Sequence, residues 1–206
     1  MTSVFLKDRI SEQLRHDIWQ GFIQPDATLT IDDLCARFRV SRTPVREALL
    51  ALCGENLLVA KHRVGYMLKP IDPSAVIESY RLRSIIEPEG AARAAAHITE
   101  PEKGELQALA DDGSPSGNYR FHMMIASAAR GTVLQDILRV LLNASVRGRV
   151  LLSLVQGPSG ILADRLASHA AICQAVCAGD EQMAASLMCR HLEDSRERVI
   201  RAVSRS

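Results

Sequence analysis

Apolar and polar positions change rhythm along this chain near residue 70. Before it, short apolar runs alternate with turn residues. Ile31, Leu34, Cys35 and Phe38 recur at helical spacing, and Thr30, Ile31, Asp32 and Asp33 resemble a capping box at the start of that helix. Arg39 and Val40 make a turn, and Val45, Ala48, Leu49 and Leu52 then mark the apolar face of a second helix. Ser41 is placed to cap that helix through its side-chain oxygen, and Pro44 is tolerated so early because its missing N–H costs little there. Residues 57–60 and 66–68 read as two strands joined by a basic tip, Lys61, His62 and Arg63, with Gly65 supplying the tight bend. Two short helices and a hairpin describe a winged helix-turn-helix.

Pro70, Ile71, Asp72 and Pro73 mark a boundary, since Asp72 can cap a helix whose first position is Pro73. Everything after it has helical periodicity. Helices are expected over residues 75–97, 102–110, 119–129, 133–156, 161–178 and 181–203, with breakers at 113–117, 131, 157–160 and 179–180. Within the first, Val76, Tyr80, Leu82, Ile86 and the alanine-rich stretch 91–96 suit close helix packing. There is no internal repeat or low-complexity tract. The expected fold is mainly α: a winged helix-turn-helix of three helices and a small β-hairpin at 1–70, then an all-α bundle at 71–206.

Composition narrows the function. A chain of 206 residues suits two modest domains, and with 47% hydrophobic residues each can bury a core. A net charge of only +1 excludes a general polyanion binder. Residues 1–70 hold 10 Lys and Arg against 8 Asp and Glu, and the remainder 15 against 16, so binding to DNA should need two copies of the module and weaken with salt. No stretch approaches a membrane span, and Met1, Thr2 and Ser3 lack the basic and apolar regions of a signal peptide, which predicts a cytoplasmic protein. Five cysteines, an odd number scattered over apolar faces, point to reduced thiols.

The chemistry concentrates at two places. Arg42 and Arg46, four apart, share a face of the second reader helix and can reach phosphates or the acceptor edge of guanine. Taken singly, such arginines belong to a solvated face; beside the cap, the turn and the wing they form a DNA-reading surface. Trp19 and Phe22 read as packing of the first helix. In the bundle, His122 shares a face with Phe121, Ile125, Ala126 and Ala129, His169 with Ile172, Cys173 and Val176, and His191 with Ala184, Leu187 and Met188. A lone buried histidine is usually a core residue, but three inward imidazoles from three helices could converge on a metal. Cys173 and Cys177 are assigned to the core rather than to a thiolate site.

Residues 9–69 resemble the winged helix-turn-helix domain of the GntR family of bacterial transcription regulators. The resemblance is carried by Gly21, Phe22, Ile23, Leu29, Leu34, the run 40–49, Leu52, Glu55, Leu57 and Gly65. It implies that Ser41, Arg42, Thr43 and Arg46 contact double-stranded operator DNA, with His62 and Arg63 toward the minor groove. Pro25 and Asp26 stand where the family usually has Pro-Gly, a change that Asp tolerates.

Residues 72–203 resemble the FadR-type C-terminal ligand-binding domain. That resemblance implies a divalent metal, zinc or nickel, held by His122, His169 and His191. Asn118 takes the position of the usual Asp, offering an oxygen without charge. Two further departures are the brief segment 111–118 and the pair Arg130 and Gly131 in place of an Asn. Arg83 and Glu87 match the Arg-x-x-x-Glu pattern of this domain, which places Arg83 at the effector pocket, where a guanidinium pairs bidentately with a carboxylate. An ordinary i, i+4 ion pair on a surface helix accounts for the same two residues equally well.

The function implied is a homodimeric, metabolite-responsive regulator of an inverted-repeat operator, sensing a small carboxylate beside the metal. It is not an enzyme. Two alternatives are a metal-dependent hydrolase-like bundle, in which the metal activates water, and a metal-free regulator whose bundle only dimerises. Against the hydrolase stands the lack of a paired general acid or base, because Glu193 and Asp194 follow His191 without having to share its pocket.

Overall fold

A computed structural model describes residues 3–70, 72–156 and 161–204. The expected breaker at 157–160, the boundary residue Ile71 and the signal-peptide reading of Met1 and Thr2 lie outside the described residues. The chain divides into two compact units, Met1–Ile71 and Asp72–Ser206.

The first unit contains α1 (Ser3–Trp19), β1 (Thr28–Leu29), α2 (Ile31–Phe38), α3 (Arg42–Gly54), β2 (Leu58–Lys61) and β3 (Gly65–Leu68). Its core joins Leu14, Ile18 and Trp19 of α1 to Val45, Leu49 and Leu52 of α3, all buried. Arg15 of α1 clamps Glu55 at the end of α3 with both oxygens, Nε at 3.0 Å and Nη2 at 2.7 Å, and Arg37 of α2 reaches Asp17 at 2.5 Å. Phe22 does not join this core. Gly21, at φ 75°, turns the chain out of α1, and Phe22 is left 72% exposed with its ring edge-on to His16.

Thr30 caps α2 as anticipated, its Oγ1 accepting from Asp33 N at 3.2 Å and donating to the Asp33 carboxylate at 2.6 Å. Arg39 ends the helix in the left-handed region, φ 55°. Ser41 occupies the N-cap position of α3 in extended backbone, but its side chain makes no capping bond. The cause lies three residues on. A capping hydroxyl takes its hydrogen bond from the second or third helical N–H, and the third residue here is Pro44, which has none.

The wing is shifted by one residue from the expected strands. Leu57 is fully buried and bonds back to Leu52 O, so it belongs to the link from α3, while Gly65 opens β3 instead of making the bend. The bend itself is Lys61 to Val64, closed by Val64 N donating to Lys61 O at 3.1 Å, with Arg63 left-handed at φ 60°. Gly65, at φ 131°, is required by a third strand that the sequence pattern did not reveal. In the antiparallel order β1-β3-β2, a Cβ on Gly65 would sit 2.7 Å from Leu29 O.

The second unit contains α4 (Pro73–His97), α5 (Glu100–Ala110), α6 (Pro115–Ala128), α7 (Thr132–Gln156), α8 (Ile161–Ala178) and α9 (Glu181–Val203). Asp72 caps α4 by accepting from Ser74 N at 2.9 Å, with Pro73 in the first turn. α4 is the central helix, packed along α9 and α7 and touching α6 and α8. Its approach to α7 needs glycine: a Cβ on Gly148 would lie 2.6 Å from Val76, and one on Gly90 2.9 Å from Leu134. Leu82 and Ile85, in contrast, are exposed, so Leu82 is not part of the helix packing expected of it.

α5 starts two residues earlier than expected because Glu102 turns back to accept from the backbone N–H and hydroxyl of Thr99, both at 2.8 Å. The same carboxylate receives both nitrogens of Arg130 at 2.7 and 2.8 Å, which gives that residue a role in joining α6 to α5. The largest revision concerns 113–117. Ser114 caps α6 by accepting from Gly117 N at 2.9 Å, Pro115 takes the first helical position, and Gly117 lets the helix close onto Asp112. Gly113 and Ser114 do separate two helices as expected, but Pro115, Ser116 and Gly117 already belong to the second, and Asn118 falls in its first turn. Among the described residues no helix is long and apolar enough to cross a membrane.

Candidate DNA-contact surface and imidazole cluster

In the first unit the residues singled out for DNA lie on the surface. Ser41, Arg42, Thr43 and Arg46 are exposed at the start of α3, and His62 and Arg63 are exposed at the wing tip. Arg42 is tied to Asp32 of α2 at 2.6 Å, both side chains being largely in solvent. An exposed pair of this kind is worth about 0–1 kcal/mol and yields readily to a phosphate. Arg46 has no ion-pair or hydrogen-bond partner among the described residues. Val45, Ala48, Leu49 and Leu52 are fully buried, and they fix the opposite face of α3.

In the second unit, α6, α8 and α9 bring His122, His169 and His191 together, each at most 3% exposed. One nitrogen from each lies within 4.8 Å of the others, a grouping able to hold one metal ion. The ring centroids of His122 are 5.4 Å from those of both partners, and His169 and His191 are 4.8 Å apart. Phe121 stacks on His169 with centroids 4.1 Å apart and so holds that ring from the side.

Two supporting bonds orient the imidazoles. His122 Nδ1 bonds to Glu87 Oε2 at 2.6 Å, and His191 Nδ1 to Ser168 Oγ at 2.8 Å. With Glu87 ionised, Nδ1 of His122 must carry the proton, which leaves the lone pair on Nε2; a carboxylate behind an imidazole is the usual support of a ligating histidine. Burial pushes the Glu87 carboxyl up, but the Arg83 guanidinium and the adjoining His122 ring, each also giving a hydrogen bond, overcome this and hold it at about 2.

Arg83 does pair with Glu87, through Nε, but the pair is not on a surface: the two side chains are 1% and 3% exposed. Arg83 also lies against the ring of Tyr80, and its Nη2 is buried with no hydrogen-bond partner among the described residues. Asn118 is buried one turn before His122, on the same side of α6. Arg165 of α8 bonds to Gly113 O and anchors the start of α6. Glu87 and Ser168 as supports of the imidazoles were not anticipated. For Glu87 the signal was its spacing from Arg83; nothing in the sequence pointed to Ser168.

A surface arginine helix with a wing, followed by a helical domain enclosing clustered imidazoles, defines a DNA-binding regulator with a sensor-type second domain. Residues 6–68 match the bacterial regulatory proteins of the gntR family, and residues 78–194 match the FCD domain. The chain belongs to the GntR family and carries an FCD domain. It is 33% identical over 102 residues to the HTH-type transcriptional repressor RspR of Escherichia coli, a match covering 50% of this chain and 45% of that protein. The chain thus spans about half the length of the curated relatives it first matches. A 25% identity covers 93% of this chain and 88% of a probable D-xylose utilization operon transcriptional repressor of Paenarthrobacter nicotinovorans. The structure of E. coli McbR/YncC has the same fold, with a TM-score of 0.80 at 21% identity over 98% of this chain and 99% of that one. These families and relatives are transcription regulators rather than enzymes, which sets aside the hydrolase-like alternative.

Proposed function

We propose that this chain is a cytoplasmic, metabolite-responsive repressor that binds a short inverted-repeat operator as a homodimer. The observation that carries this reading is the pairing of an exposed arginine-bearing α3 with a buried three-imidazole cluster braced by Glu87. Ser41, Arg42, Thr43 and Arg46 meet the major groove, and His62 and Arg63 meet the minor groove. Dimerisation is supported by exposed apolar side chains on two helices that pack together, Leu82 and Ile85 of α4 and Val133, Ile137 and Val140 of α7.

His122, His169 and His191 would hold a divalent metal, zinc or nickel, with Asn118 as a weak fourth donor. A bound ion would supply a fixed positive charge for an anionic ligand. Arg83 Nη2, a buried donor with no partner among the described residues, favours a small carboxylate as that ligand, since an unmet buried guanidinium nitrogen is costly. The effector acts by shifting the population of DNA-competent dimers, so its effect on operator affinity must be matched by an equal effect of the operator on effector affinity.

Selection from a random duplex pool tests the reading. Wild type should enrich an inverted repeat, and Arg46→Ala should bind the enriched duplex more weakly by ~1–3 kcal/mol per lost guanine contact while melting normally. Unchanged affinity for that duplex would overturn the role of α3. Elemental analysis of the purified chain should find one zinc or nickel per chain, lost in His169→Ala; a metal-free wild type after growth in both metals would overturn the imidazole site.

A further inference from the structure

α8 carries a second set of soft atoms one turn beyond His169. Cys173 and Cys177 are four residues apart, so their side chains leave the same side of the helix, and their Sγ atoms stand 3.9 Å apart. Both are free thiols, Cys173 buried and Cys177 half-buried. They border a groove of about 560 Å³ between α5 and α8, whose walls include Gln107 of α5, Asp111 just beyond its end and Gln174 of α8. Cys177 is therefore a groove residue and not part of the core to which sequence reasoning assigned it.

We propose that Cys173 and Cys177 form a dithiol site for a trivalent organoarsenical, entered through this groove. Two thiolates ~2.3 Å from one tetrahedral centre stand ~3.8 Å apart. The 3.9 Å separation is close to the bite of a chelate, and pyramidal arsenic, whose S–As–S angle is nearer a right angle, draws the two sulfurs somewhat closer by small rotations of the cysteine side chains. The number of ligands selects the class of guest. Among the described residues only the three histidines bring three ligating atoms of His, Cys, Asp or Glu within 4.8 Å of one another, so Asp111 does not complete a three-ligand set with the thiols. A zinc ion wants four ligands and finds two here. An arsenic that already bears one carbon substituent needs two sulfurs and no more.

Proton balance points the same way. Burial, with the neighbouring Cys177 and Asp111, pushes the Cys173 thiol up to about 12, so it is protonated at neutral pH. A metal cation must expel that proton, whereas an arsenic oxide consumes it. In R–As=O + 2 R′SH → R–As(SR′)2 + H2O, two As–S bonds form, the As–O bond breaks and both thiol protons leave with the oxygen as water. Arsenic stays trivalent and nothing is oxidised. The organic group R occupies the groove.

The test uses the reduced full chain with phenylarsine oxide, followed by gel filtration and intact mass measurement. The expected result is one phenylarsenic per chain, with Cys173 and Cys177 protected from alkylation. Cys173→Ser and Cys177→Ser should each lose the adduct, because a single thiol cannot chelate. The triple variant Cys35→Ser, Cys53→Ser, Cys189→Ser should keep it, and so should His169→Ala, which separates this site from the imidazole cluster. An adduct that persists in Cys177→Ser, the half-buried position where serine is best tolerated, would overturn the proposal. So would a wild type that takes up no arsenic while its thiols remain open to alkylation.

Discussion

The two units handle their polar chemistry in opposite ways. In the first, the arginines stand on the surface of one short helix, four residues apart in sequence, and the core beneath them is largely apolar, with the Arg15–Glu55 and Arg37–Asp17 clamps at its edge. In the second, the imidazoles, Glu87 and Arg83 are buried and come from four helices spread over more than a hundred residues. A surface site can change without disturbing the fold that carries it. A buried polar cluster cannot, because each member satisfies the desolvation cost of another. The first unit can thus vary its exposed arginines freely, while the second ties its buried cluster to its stability.

The strongest challenge to that contrast is Glu87→Ala, which leaves the buried Arg83 charge and the His122 N–H without their acceptor. Removing one partner of a buried pair typically costs about 3–5 kcal/mol. Trp19, the one tryptophan of the chain, is buried in the first unit, so its fluorescence follows that unit while far-UV circular dichroism is dominated by the helices of the second. Urea should then unfold the dichroism signal at much lower concentration in the variant and leave the Trp19 transition in place. Transitions that move together would abolish the separation of the two units.

Gly65→Ala makes the converse test. An alanine there must adopt φ 131° with its Cβ against Leu29 O, at a cost of about 1–3 kcal/mol, and the Trp19 transition alone should shift. A smaller effect is expected from Asp32→Ala, which releases Arg42 and removes a negative charge beside the side of α3 proposed to face DNA. Operator affinity, measured by fluorescence anisotropy, should rise by less than about 1 kcal/mol; a loss of affinity would mean that Asp32 positions Arg42 for its contact.

The smallest effect belongs to Glu102→Gln at the start of α5. Hydrogen bonds from Arg130, then from Thr99, hold the Glu102 carboxyl at about 2, below the ordinary 4.5. A carboxyl depressed in the folded state stabilises above the ordinary value and loses that contribution as it becomes protonated. The melting temperature of the variant should therefore fall below wild type at neutral pH, and the gap should close as pH drops from about 4.5 to about 2. A gap independent of pH would assign the effect to packing.

Several features of the fold were legible because they are local. The cap at Thr30, the Asp72–Pro73 start of α4 and the full lengths of α8 and α9 each depend on residues within a few positions of one another. The misreadings have non-local causes, or a local one overlooked. Pro44 silences the Ser41 cap, an effect visible in the sequence once the third helical position is counted. Gly65 is explained only by β1, which lies 36 residues earlier and has two residues, too few for any periodicity. Residues 113–117 look like a loop by composition, yet serine, proline and glycine are also the residues that start a helix once Asp112 and Arg165 fix its first turn.

Sequence alone singled out the candidates for the chemistry: two arginines on one helical face, and three histidines each set among apolar neighbours at helical spacing. A helix fixes the direction of its own side chains, so the inward pointing of each imidazole was readable one helix at a time. Tertiary structure decided what those residues meet. Only the crossing of α4, α6, α8 and α9 puts Glu87 behind His122, Ser168 behind His191 and Phe121 over His169, because distances between helices are set by the packing of their whole faces and no short stretch of sequence encodes them.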